Sequence, residues 1–121
     1  MKNIPLQVHL DEGLEAAGQR FIVAWKNAEQ GIIAPERHVA FESYEGFTKI
    51  MSPKRLELMK SLRKAGPLSI RAVSMLVKRD YKSVHGDVHI LLNAGLIDRT
   101  DDGLIEVTWD KVSAELDLLA A

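Results

Sequence analysis

Cysteine is absent from the chain, which rules out disulfides, thiolate-built zinc fingers and thiol nucleophiles. Long apolar runs are missing too. None approaches the roughly 20 residues a membrane span needs, and the opening "MKNIPLQVHLDEGLEAAG" has no signal-peptide core. A cytoplasmic protein without a membrane partner is expected. There is no nucleophile elbow, phosphate loop or metalloprotease motif, and the carboxylates fall mostly on exposed helix faces, so neither catalysis nor a cofactor is expected. "DDG" at Asp101–Gly103 resembles a calcium ligand cluster but lacks the other loop ligands, and reads as a turn. Against these absences, 46% of the 121 residues are apolar, enough for a real core in one domain or a small domain with an appendage.

The formal net charge of -1 conceals a strong polarity along the chain. Residues 1–48 carry four basic and seven acidic side chains, residues 49–86 carry ten and two, and residues 87–121 carry two and eight. A middle of net +8 between acidic flanks points to a polyanion footprint on part of the surface, unless these are simply solvated helix faces.

"IPLQVHL" alternates like a short strand, limited to an edge by Pro5. Leu14, Ala17, Phe21, Ala24, Trp25 and Ala28 recur at helical steps, predicting a helix from Asp11, as N-cap, to about Gln30, with Gly31 as its stop. "RHVAFES" reads as a strand and "YEGFTKI" as a turn or short helix. This front part is too small to bury its aromatic stripe alone, so Phe21 and Trp25 are candidates for an interface with a second copy or another protein, or for packing within the chain.

From Ser52 the pattern sharpens. Ser52 as cap and Pro53 at the first helical position start a helix whose apolar positions are Leu56, Met59 and Leu62, ended by "AGP" at Ala65–Pro67. Ser69 caps a second helix carrying Ile70, Val73 and Val77, and after "KRD" a third runs from about Tyr81 to Asn93. "LIDRTDDGLIEVTW" gives two short strands joined at Asp101–Gly103. A final amphipathic helix is predicted from Asp110 to Leu119 through Val112, Leu116 and Leu119. Three helices and a two-stranded wing, with helices two and three separated by a three- or four-residue turn, predict a winged helix-turn-helix. The expected class is mainly α within α+β: an N-terminal strand–helix–strand extension over residues 1–50 and a DNA-binding domain over residues 51–121.

At 100° per residue, Tyr81, Val84, Val88, Leu91 and Leu92 share the buried arc of the third helix. Lys82, Ser83, Gly86, His89, Ile90 and Asn93 then face outward, with His85 and Asp87 on the borders. The N-terminal part of such a helix enters the major groove, making Lys82, Ser83 and His89 the candidates for base edges. Tyr81 can offer its hydroxyl to a phosphate, and Lys54, Arg55, Arg71 and Arg79 are placed on the DNA backbone. Ser69, His85 and Gly86 are further DNA-binding candidates, and Arg99 is the one residue near the wing suited to DNA. His85 and His89, four apart, raise the question of a metal, but two imidazoles fall short of the three or four ligands a site needs, and none is expected.

The segment "MSPKRLELMKSLRKAGPLSIRAVSMLVKRDYKSVHGDVHILLNAGLIDRTDDGLIEVTWD" resembles a prokaryotic group of MarR-like winged-helix transcriptional regulators. "PKRLELMKSLRKAGPLSIRAV", "RDYKSVHGDV" and "LNAGLI" carry the likeness in order and spacing, and "AWKNAEQG" and "HVAFES" extend it upstream. The group often has arginine or lysine where Gly86 stands, a departure that shifts weight onto Lys82 and Ser83. Some members are antitoxins of small TumE-type toxins. The resemblance therefore implies a homodimeric, operator-binding repressor that also neutralises a cognate toxin protein. Two alternatives stay open: a stand-alone regulator without a toxin, and a protein-interaction module that no longer reads DNA, as the acidic wing and Gly86 would suit.

Overall fold

Leu6, Val8 and Leu10 are buried, while Pro5, Gln7 and His9 between them are half-exposed, the period-two signature of a strand with one covered face. In the computed structural model, which describes residues 4–11, 14–32 and 37–119, they form β1 (Ile4–Leu10). It pairs in parallel with β2 (Arg37–Phe41), Val8 opposite Val39 and Leu10 opposite Phe41. Parallel neighbours need a crossover, and α1 (Leu14–Glu29) supplies it. Gly31, at φ 79°, ends the helix, its N–H donating to Ala28 O and that of Ile32 to Asn27 O. The expected N-cap at Asp11 is not one. Helix α1 starts three residues later, and Asp11, at φ 53°, instead donates its backbone N–H to Phe41 O at 3.2 Å.

The chain divides into two compact units, residues 1–47 with 110–121, and residues 48–109. The three-stranded sheet of the first has the order β2-β1-β5, where β5 spans Trp109–Leu116, so β1 is its middle strand and not the edge expected from Pro5. The helix expected over Asp110–Leu119 is thus a strand. Val112 and Leu116 are four apart, a spacing that suits both periods, and the sheet edge offered by β1 decides between them. The C-terminal segment, grouped with the DNA-binding domain on sequence, belongs to the N-terminal sheet. Helix α2 (Tyr44–Ile50) follows β2, and Phe47 meets Phe41 edge-on at 5.2 Å between ring centroids.

In the second unit, α3 (Pro53–Ala65) begins at the expected cap, Ser52 Oγ accepting from Arg55 N. Helix α4 (Ile70–Val77) begins likewise at Ser69, whose Oγ accepts from Ala72 N. Helix α5 (Tyr81–Asn93) begins at Asp80, whose carboxylate accepts from Ser83 N at 2.9 Å. Strands β3 (Asp98–Arg99) and β4 (Ile105–Glu106) pair antiparallel, with Gly103 at φ 84° in the turn between them. Leu68, between α3 and α4, exchanges two backbone hydrogen bonds with Ile105 and ties that connection to the hairpin.

The core holds Leu58, Met59 and Leu62 from α3, Val73 from α4, Val84, Val88 and Leu91 from α5, then Leu96, Ile97, Ile105, Val107 and Trp109. Leu56, expected inside, is exposed, because it lies about 160° around α3 from Leu58. Arg55 takes its place on the core-facing side, three residues before Leu58 and seven before Leu62. Five helices and five strands among the described residues make the class α+β.

Candidate nucleic-acid interface

Burial of Val84, Val88 and Leu91 fixes the rotation of α5 and turns Lys82, Ser83, His85, Gly86, His89 and Ile90 to the exposed side. Tyr81, expected in the core, lies outside with 42% of its surface exposed. It is the first residue of α5, where a side chain leaning toward the N-terminus extends beyond the packed part of the helix. The Arg71 guanidinium sits 4.9 Å from its ring centroid, a cation–π contact. Tyr81 in turn meets His85 at 5.8 Å, and His85 stacks on His89 at 4.2 Å. Tyr81, His85 and His89 therefore form one column of planar groups along α5, set by the i, i+4, i+8 spacing, and Arg71 of α4 extends it at the Tyr81 end.

His89 Nδ1 lies 3.0 Å from the carbonyl oxygen of His85. A carbonyl only accepts, so Nδ1 carries the proton, and in the neutral ring Nε2 is left as an acceptor. Among the described residues no group of three or more His, Cys, Asp or Glu side chains is arranged to hold a metal ion. The other two histidines, far apart in sequence, meet in the first unit, His9 Nε2 at 2.8 Å from His38 Nδ1.

Lys82 is exposed and makes no hydrogen bond or ion pair among the described residues, so it is available to a phosphate. Ser83 is less so. Its hydroxyl donates to Asp80 Oδ2 at 3.1 Å, leaving its lone pairs to accept from a base amino group but its proton engaged. Ser69 Oγ is likewise committed to its helix cap. Gly86 is exposed, and a Cβ there would meet nothing within 4 Å, so no close approach inside the chain requires glycine. Lys54 lines a groove of about 280 Å³ with Glu57, Ser61, Leu76 and Arg79, between α3 and the end of α4. Arg99 is exposed on β3 beside the acidic turn.

Arg55 and Arg79, expected on the DNA backbone, both pair with a carboxylate of the same chain. Arg55 Nε donates to Asp87 Oδ1 at 3.0 Å and Arg79 Nη2 donates to Asp87 Oδ2 at 2.7 Å. Arg55 Nη1 also donates to the carbonyls of Lys49 and Ile50, at 3.1 and 3.3 Å. One carboxylate thus clamps the start of α3, the α4–α5 turn and the middle of α5, with all three side chains at most 23% exposed. This pairing of Asp87 was missed on sequence, where the residue reads as a border position. Its signal is that it is the one carboxylate within α5 and immediately follows the basic stretch.

The sequence model of the HVO_A0114 family matches residues 50–114, more than half of the chain. The chain belongs to the HVO_A0114 family. No curated protein and no solved structure matches it. The HVO_A0114 match takes in α3, α4, α5 and the β3–β4 hairpin, and so every residue of the column and the Asp87 clamp. Phe21 and Trp25 lie outside that match. They are 66% and 60% exposed on α1, 6.3 Å apart between ring centroids, with Trp25 Nε1 donating to Glu29 Oε1 at 2.7 Å.

Proposed function

We propose that residues 48–109 are a winged helix-turn-helix that binds duplex DNA, α5 entering the major groove, and that the chain is a dimeric transcriptional repressor acting in the cytoplasm. The observation that carries this reading is the outer face of α5. There, Lys82 and the Arg71–Tyr81–His85–His89 column stand exposed above a core side locked by Val84, Val88 and Leu91. Planar cations and imidazoles offer donors and acceptors to base edges, and Lys82 and Arg71 offer charge to phosphates. The bond pattern that joins Leu68 to β4 and the β3–β4 hairpin also suit a wing. Autoregulation of an operon, and neutralisation of a small toxin encoded beside it, follow from the resemblance to MarR-like regulators.

The decisive measurement is fluorescence anisotropy with DNA from upstream of the protein's own gene, titrated with salt. Lys82→Ala should lower the slope of log K against log salt by about 0.9, the contribution of one phosphate contact. A slope and affinity unchanged from the wild type would remove Lys82 from the interface. Failure to bind any duplex at low salt would end the DNA reading.

A second reading, capture of a partner protein without DNA readout, is favoured by the exposed Phe21 and Trp25 on α1. It predicts that Trp25→Ala abolishes a complex with the neighbouring gene product while anisotropy stays flat at every protein concentration.

A further inference from the structure

From Asp110 to Leu116 every residue of β5 is exposed, an unusual condition for a strand hydrogen-bonded into a sheet. Strand β5 lies at one end of the order β2-β1-β5, so from Lys111 to Leu116 its outer side is a sheet edge with no further strand beside it among the described residues. Its side chains alternate, Lys111, Ser113 and Glu115 on one face and Val112, Ala114 and Leu116 on the other. Val112 and Leu116 are 36% and 45% exposed, so the apolar face is uncovered too. The segment has no proline, a residue that would block an edge.

We infer that the partner of this edge is a second copy of the chain, added antiparallel through β5. An antiparallel pair of identical strands is related by a two-fold axis perpendicular to the sheet, which requires one residue to face its own copy. Pairing about Ser113 engages residues 111–115 symmetrically. That register sets Lys111 opposite Glu115 of the second copy, and Glu115 opposite Lys111, so two complementary charge pairs form on one face. On the other face Val112 lies opposite Ala114. A centre at Lys111 would oppose two lysines, and one at Glu115 two glutamates. The other edge, β2, is less suited: its five residues are Arg-His-Val-Ala-Phe, with no acidic side chain to meet Arg37. The product is one continuous sheet, β2-β1-β5 followed by its symmetry mate. This gives a surface to the dimer in the DNA-binding reading above, and its test uses no DNA, so either can fail without the other.

The absence of native cysteine makes the test direct. Opposed residues in an antiparallel pair have Cα atoms about 4.5–5.5 Å apart, within disulfide reach. Full-length Ser113→Cys should cross-link to a covalent dimer under mild oxidation. Glu115→Cys should not, because in this register the two copies of residue 115 are four residues apart along the strands, about 14 Å. In light scattering after size exclusion, the wild type should run as a dimer. Lys111→Glu and Glu115→Lys should each weaken it roughly tenfold or more, and the double exchange should restore it. All three positions are exposed, and the cysteine pair reports independently if a charge variant folds poorly. A monomeric wild type overturns the inference. So does a dimer that Ser113→Cys leaves uncross-linked, which would put the interface elsewhere, for example on the Phe21–Trp25 face of α1. Efficient cross-linking through Glu115→Cys, or no rescue by the double exchange, overturns the register.

Discussion

Replacing Asp87 with alanine removes the shared acceptor of two arginines in a single step. The two bonds are short, 3.0 Å from Arg55 Nε and 2.7 Å from Arg79 Nη2, and the three side chains are between 14% and 23% exposed. Charge-assisted hydrogen bonds contribute about 1.5–3 kcal/mol each when well removed from water, and residual exposure puts these near the lower end, about 3 kcal/mol together. Alanine returns about 0.5 kcal/mol of helix propensity, for a net loss of about 2.5 kcal/mol. With about 2.1 cal/mol/K of unfolding entropy per residue, a chain of this length should lose about 10 °C in Tm if it unfolds as one. Arg79 adds to the cost, because its Nη1 is already buried without a hydrogen-bond partner and the variant leaves the rest of its guanidinium unpaired as well. The assay is a double-mutant cycle by urea denaturation, with Asp87→Ala and Arg79→Ala alone and together, at 0.1 M and 0.5 M NaCl. A coupling of about 1–2 kcal/mol that persists at the higher salt is expected, since screening acts weakly on a pair largely out of water. Additive single effects, or a coupling lost in 0.5 M NaCl, would refute the clamp and return the arginines to the pool of phosphate contacts.

Two further outcomes follow from α4 and α5. Gly86→Ala should raise stability by about 0.8–1 kcal/mol, because the position is mid-helix and open around the missing Cβ; chemical denaturation checks it, and a loss of stability would mean the glycine answers a contact within the fold. Lys78 closes α4 at φ 55° and ψ 48°, with its N–H reaching back to Met75 O and Ser74 O, a left-handed cap built without glycine. Lys78→Gly should therefore stabilise by about 0.5–1 kcal/mol after the extra freedom of the unfolded chain is deducted, read as an upward shift in Tm.

The α3–α4–α5 run was legible because its signals are local. Ser52 and Ser69 cap the helices they were expected to cap, and the spacing of Val84, Val88 and Leu91 foretold which side of α5 is buried. The Asp101–Gly103 turn needed only its own residues. Errors arose where a residue had two compatible partners. Tyr81 fits the apolar arc of α5, yet as the helix's first residue it extends beyond the packed part, where its ring meets Arg71, ten residues earlier. The pairing of Arg55 and Arg79 with Asp87 was not foreseen, because that carboxylate lies 32 and 8 residues away.

The amino-acid sequence alone determined the helices, the hairpin and the exposed side of α5, since capping and periodicity act over a few residues. Tertiary structure decided three other things: that Asp110–Leu116 is a strand, that two arginines close on Asp87, and that His9 meets His38. Each depends on a partner supplied from far along the chain. Val112 and Leu116 satisfy a helix and a strand equally, and the vacant edge of β1, a hundred residues earlier, settles which one forms.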